Sequence, residues 1–166
     1  MNLEQFMDEL RSLIGGEVDS EELVLGSAPR LYAHYRGHFV KVDFVLASEL
    51  LLDVNTTPPH RLRVRRRGFA HRLLGRLGLA GRKTGDAAFD ARYIVDNATQ
   101  EQAVAALSSE VRSLLAKLEP FDLFELTDKE YRCCKSVGSL AAYTPRDAVV
   151  DLDAMIGIAE AVGGEG

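Results

Sequence analysis

Between Leu31 and Val54 the chain reads LYAHYRGHFVKVDFVLASELLLDV, three β-branched and aromatic stretches of strand length joined by short turns. Arg36-Gly37 sits between LYAHY and HFVKVDF as a two-residue hairpin turn. A turn that short can only join antiparallel strands, because a parallel pair needs a crossover of a dozen residues or more. ELLLDV is a further strand, ended by the Thr56-Thr57-Pro58-Pro59 loop. The middle of the chain is therefore committed to an antiparallel sheet.

The flanks are helical. Leu3, Phe6, Met7, Leu10, Leu13 and Ile14 recur at helical spacing, and Gly15-Gly16 stops the run. Thr99 with Gln102 forms a capping-box pattern that opens QEQAVAAL, and Ser108 caps a second helix with Val111, Leu114, Leu115 and Leu118 on one stripe. FDLFELT and EYRCCKSV read as a hairpin about Asp128-Lys129. Thr144-Pro145-Arg146-Asp147 supplies a cap, a proline at the first helical position and an early acid for a last helix buried through Val149, Leu152, Ile156 and Ala159. FDARYIV is expected as a strand with Phe89, Ala91, Tyr93 and Val95 on one face. The sum is an α+β fold: a mainly antiparallel sheet, an N-terminal helix, a central helix pair and a C-terminal helix, read as one domain over residues 1–166.

Charge is unevenly placed. Residues 61–83, RLRVRRRGFAHRLLGRLGLAGRK, hold nine basic side chains and no acid, while the other 11 basic residues face all 25 acidic ones. RLRVRRR alternates Arg with Leu62 and Val64, the period of a half-buried strand. Arg61, Arg63, Arg65 and Arg67 then share one face at intervals of about 6.6 Å, a row suited to phosphate or carboxylate. Arg72, Arg76, Arg82 and Lys83 would extend it, across a helix running through Phe69, Leu73 and Leu77. Arg66 points the other way. The competing reading is an edge or outer strand whose arginines face water and discourage aggregation, with EVDSEEL (17–23), Glu125 or Asp128 lying across them.

Three segments resemble a bacterial family of unknown function whose members often carry transmembrane helices ahead of a soluble part. RGHFVKVDF at 36–44 resembles its G-x-F-x-x-x-D-F segment. TGDAAFDARYIVDNATQEQAVAALSSEVRSLLAKL at 84–118 resembles its acidic turn, aromatic strand and helix pair, and FDLFELTDKEYRCCKSV its closing strand pair. The resemblance implies no catalytic residues. Asp86 and Phe89 within it read as a turn cap and a core anchor.

Other chemistry is sparse. The sequence holds no P-loop, dinucleotide glycine fingerprint, nucleophile elbow or metalloprotease helix. His34, His38, His60 and His71 stand beside no cysteine or carboxylate at zinc-ligand spacing. Cys133 and Cys134 are adjacent, which disfavours a disulfide; one is expected in the core and the other half-exposed, with Lys135 as the feature that could lower a thiol pKa. Asp151 and Asp153 are expected to be solvated. No stretch has the roughly 20 apolar residues of a membrane span, and the acidic N-terminus is unlike a signal peptide.

These observations point to a cytoplasmic, non-catalytic interaction module without metal or cofactor, with peripheral membrane attachment as a variant. Its partner would be an acidic protein segment, a polyanion or an anionic membrane surface; specific nucleic-acid recognition is disfavoured, since only Phe69 interleaves the arginines. A small enzyme of unrecognised type and a structural or oligomeric building block are the alternatives, and the oligomeric state is not readable.

Overall fold

The computed structural model describes residues 1–19, 28–45, 48–67 and 81–163. Helix α1 spans Leu3–Ile14, and Asn2 starts it: its side chain accepts from the Gln5 N–H at 2.8 Å while the Gln5 side chain accepts from the Asn2 N–H. Phe6, Met7, Leu10 and Ile14 form its buried stripe. The chain then passes directly into β1 (Glu17–Asp19). Gly16 permits this, because its φ is +101° and a Cβ there would stand 2.2 Å from the Tyr32 carbonyl oxygen.

Strands β2 (Arg30–Tyr35) and β3 (His38–Val45) form the expected hairpin, with Arg36 and Gly37 both at positive φ as a type I′ turn requires. β4 (Glu49–Asn55) and β5 (Leu62–Arg66) follow. A short helix α2 (Ala87–Arg92) leads into β6 (Tyr93–Asp96), then come α3 (Gln100–Ala106), α4 (Ser109–Lys117), β7 (Leu123–Leu126), β8 (Tyr131–Ser136) and α5 (Pro145–Gly163). The strands build one eight-stranded sheet in the order β1-β2-β3-β4-β8-β7-β5-β6, every neighbouring pair antiparallel. The α+β architecture with terminal helices and a central helix pair, α3 and α4, stands as read from the sequence.

Alternation divides the sheet into two faces. Leu31, Val40, Val42, Phe44, Leu52, Val54, Leu62, Val64 and Phe124 are buried on the inner one. There α5 packs on α1, α4, β4 and β8. Phe6 of α1 meets Phe44 edge-on at 5.2 Å, and Gly157 of α5 lets the Leu114 side chain of α4 approach closely. At about 25 cal/mol per Å² of apolar surface removed from water, this layer supplies the main stabilising term.

Two expectations are corrected. FDARYIV is not a strand throughout: residues up to Arg92 are helical, because the Asp86 side chain accepts from the N–H groups of Ala88 and Phe89, both at 3.0 Å, and caps a first turn rich in alanine. β5 is not an edge strand: β7 and β6 flank it. The expected helix through Phe69, Leu73 and Leu77 lies outside the described residues, as does most of EVDSEEL.

Candidate functional site

In β5 the inward Leu62 and Val64 are fully buried, so Arg63 and Arg65 stand on the opposite face. The register of the sheet decides what faces them. Lys41 of β3 pairs with Asp53 of β4, Asp53 with Arg132 of β8, Arg132 with Glu125 of β7, Glu125 with Arg63 of β5, and Arg63 with Asp96 of β6. One cross-strand row thus alternates in charge over six strands. Opposite charges directly across a strand pair stabilise each other, whereas like charges would repel.

Side chains close three of these five pairings, Lys41 with Asp53, Asp53 with Arg132 and Glu125 with Arg63, while Asp96 reaches diagonally to Arg65. Arg63 Nη2 lies 2.6 Å from Glu125 Oε1, and its Nε donates to the same oxygen at 3.0 Å. Arg132 grips Asp53 through Nε at 2.8 Å and Nη2 at 3.3 Å, and Lys41 stands 3.7 Å from the same carboxylate. Asp53 is only 3% exposed, so its charge rests on those two cations. One row over, Arg30 holds the buried Asp43 at 3.0 Å. Glu125 beside Arg63, and Asp53 beside Arg132, hold both guanidinium pKa values above their ordinary range.

The eight basic residues singled out in the sequence therefore divide. Arg61 is paired with Asp128, Arg63 with Glu125 and Arg65 with Asp96. Two of these acids, Glu125 and Asp128, are ones the covering-acid reading expects. Arg67, half-buried, continues beyond the strand, and its Nε makes no hydrogen bond among the described residues. Arg82 is exposed and donates to the Ala98 carbonyl at 2.9 Å; Lys83 is exposed too. Among the described residues no carboxylate lies within ion-pair distance of Arg66, Arg67, Arg82 or Lys83. Arg72 and Arg76 lie outside the described residues.

The side chains of Arg61, Arg63 and Arg65 remain 63%, 41% and 43% exposed. Their pairs are consequently worth only a few tenths to about 1 kcal/mol each. The acids thus cover these three arginines only in part.

A second polar cluster lies within the core. Lys135 of β8 donates to Asp151 Oδ2 of α5, and the Tyr143 hydroxyl donates to the same oxygen at 2.7 Å. Lys135 and Asp151 are 5% and 4% exposed, which corrects the expectation of a solvated Asp151. Burial raises the Asp151 pKa, opposed by Lys135 and Tyr143, and burial beside Asp151 pushes the Tyr143 hydroxyl far above its ordinary range. Asp153 is partly exposed and accepts from Tyr35 and Arg36 of the first hairpin. The signal for the cluster was present in the sequence. Lys135 shares strand parity with the buried Tyr131 and Cys133, and Asp151 follows Ala148 by three and precedes Leu152 on the helical stripe.

Cys133 is buried and Cys134 half-buried, as expected, and both are free. Lys135 does not activate either thiol. Desolvation dominates, raising Cys133 well above the ordinary thiol range and Cys134 to about 11.

No protein-family model matches the chain, and no curated protein matches it. Among solved structures the chain is similar to the mycobacterial trehalose monomycolate transport factor A, TtfA, with a TM-score of 0.67 at 9% identity, over 96% of this chain and 93% of that one. At that identity the likeness is one of fold. No helix among the described residues is long and apolar enough to cross a membrane.

Proposed function

We propose that this chain is a non-catalytic interaction module that presents the charged face of its sheet to an acidic segment of a protein partner. The carrying observation is the row of exposed guanidinium groups already holding carboxylates at strand spacing: Arg61 with Asp128, Arg63 with Glu125, Arg65 with Asp96. Such a face exchanges one carboxylate for another at little cost, and its alternating charges fix register and reject mismatched partners. A uniform polyanion or an anionic bilayer gains less, since it meets cations that carry their own counter-charges on a protein of net charge −5. The structural neighbour is named a transport factor, which supports the reading by analogy of fold. The two free cysteines suit a reducing, cytoplasmic setting.

The test compares three probes at low salt: an acidic peptide that intersperses lysines among its glutamates, heparin and vesicles containing anionic lipid. The peptide is expected to bind, and replacing Arg61, Arg65 and Arg67 together with Gln is expected to weaken it while leaving the melting temperature within a few degrees. Equal peptide binding by wild type and variant refutes the proposal. Preferential binding of heparin or vesicles replaces the protein partner with a polyanion or a membrane.

A further inference from the structure

Away from the charged face, a cavity of about 330 Å³ opens between the end of α4, β8 and the start of α5. That is the small end of the range for ligand pockets. Its floor is the Lys135–Asp151–Tyr143 cluster, Lys117 and Asp147 line it further out, and Val137 and Val150 give it apolar wall.

The hydrogen bonding of this cavity is incomplete in a patterned way. An ammonium group has three donors, yet Lys135 makes one hydrogen bond among the described residues, to Asp151 Oδ2. That same oxygen also takes the Tyr143 hydroxyl, so Asp151 Oδ1 receives no hydrogen bond there. Asp147 repeats the arrangement: Thr144 donates its N–H and hydroxyl to Oδ2, both at 2.7 Å, and Oδ1 takes no hydrogen bond among the described residues. Lys117 is exposed and has no carboxylate within ion-pair distance among the described residues. The remaining acid in the lining, Glu119, is committed to Arg92 and Tyr93. The cavity therefore offers unused cationic donors and unused anionic acceptors together.

A ligand bearing only a carboxylate would meet the donors but face Asp147 and Asp151. A simple amine would meet the acceptors but face Lys117 and Lys135. A group carrying both charges satisfies both sets. We propose that this cavity binds a small zwitterion of the amino-acid class, its carboxylate toward Lys117 and Lys135, its ammonium toward Asp147 and Asp151, and a short apolar side chain against Val137 and Val150. Charge-assisted hydrogen bonds of this kind are roughly twice as strong as neutral ones, which separates such a ligand from water filling the same space.

Titration calorimetry on the full chain tests this with L-alanine, L-valine and L-leucine. Isovalerate and isobutylamine serve as controls, being L-valine without its amine and without its carboxylate. At least one amino acid is expected to bind saturably with a Kd on the order of 1 mM. If L-valine is that ligand, both controls should bind at least about tenfold more weakly. Lys117→Ala removes an exposed side chain and is expected to weaken binding about tenfold. Val150→Trp, at a position 56% exposed, is expected to close the mouth and abolish binding with the circular dichroism spectrum unchanged. Three results overturn the proposal: no binding of any of the three amino acids, a control binding as tightly as L-valine, or full binding by the Val150→Trp protein.

Discussion

Replacing Lys135 with Met is the sharpest probe of the core. The ammonium and the Asp151 carboxylate are both about 95% buried, and the two residues face each other across the β8–α5 contact. Removing the cation leaves a buried carboxylate whose one remaining donor among the described residues is the Tyr143 hydroxyl. Breaking a buried pair from one side costs about 3–5 kcal/mol, because the surviving charge keeps its desolvation penalty and loses its counter-charge. Against a total stability of about 5–15 kcal/mol this is a large fraction. With a urea m-value of about 2 kcal/mol/M, a 4 kcal/mol loss lowers the denaturation midpoint by about 2 M. The triple variant Lys135→Met, Asp151→Leu, Tyr143→Phe removes every member of the cluster and should recover most of that loss, since no polar group is left orphaned. Urea unfolding followed by circular dichroism, with the m-value checked for constancy, measures both. A single-variant loss under about 1 kcal/mol, or a triple variant no more stable than the single, would refute the argument that the pair is held out of water.

Two further outcomes follow from ionisation. Asp86 caps α2, and the Phe89 and Ala88 N–H groups with nearby Arg112 lower its folded pKa; the unfolded chain takes up the proton first, so this stability is present above the ordinary carboxylate range and is lost as pH falls through the lowered value. Asp86→Asn keeps a capping oxygen but not the charge, so acid unfolding should show a shallower limb, and superimposable limbs would show that Asp86 does not titrate as described. Cys134, at about 11, should be alkylated by iodoacetamide at pH 8 about two orders of magnitude more slowly than a free thiol; a rate near that of free cysteine would mean the thiolate is not desolvated.

The sequence was most legible where local chemistry acts alone. The Arg36-Gly37 turn, the Thr99 and Ser108 caps and the parity of Leu62 and Val64 are each decided within a few residues, and each local expectation was met. FDARYIV misled because alternation of Phe89, Ala91, Tyr93 and Val95 competes with an Asp86 cap, and the cap's hydrogen bonds settle six residues as helix. β5 misled for another reason: a strand's neighbours are a property of topology, and β6 and β7 close around it from later in the chain.

The candidate site shows the same division. The arginine spacing and the surplus of cations over 61–83 belong to the primary structure, as does the presence of enough acid elsewhere to balance them. Which acid meets which arginine depends on strand register over long sequence separations: it brings Glu125 to Arg63, and Asp96 and Asp128 are brought to Arg65 and Arg61 in the same folded sheet. Side-chain parity and helical stripe mark Lys135 and Asp151 as inward-facing, but only the packing of α5 on β8 makes them one pair and sets a cavity beside them. Local pattern fixes the direction in which a side chain points. Tertiary structure fixes what it meets, because attraction between charges requires a proximity that sequence separation does not encode.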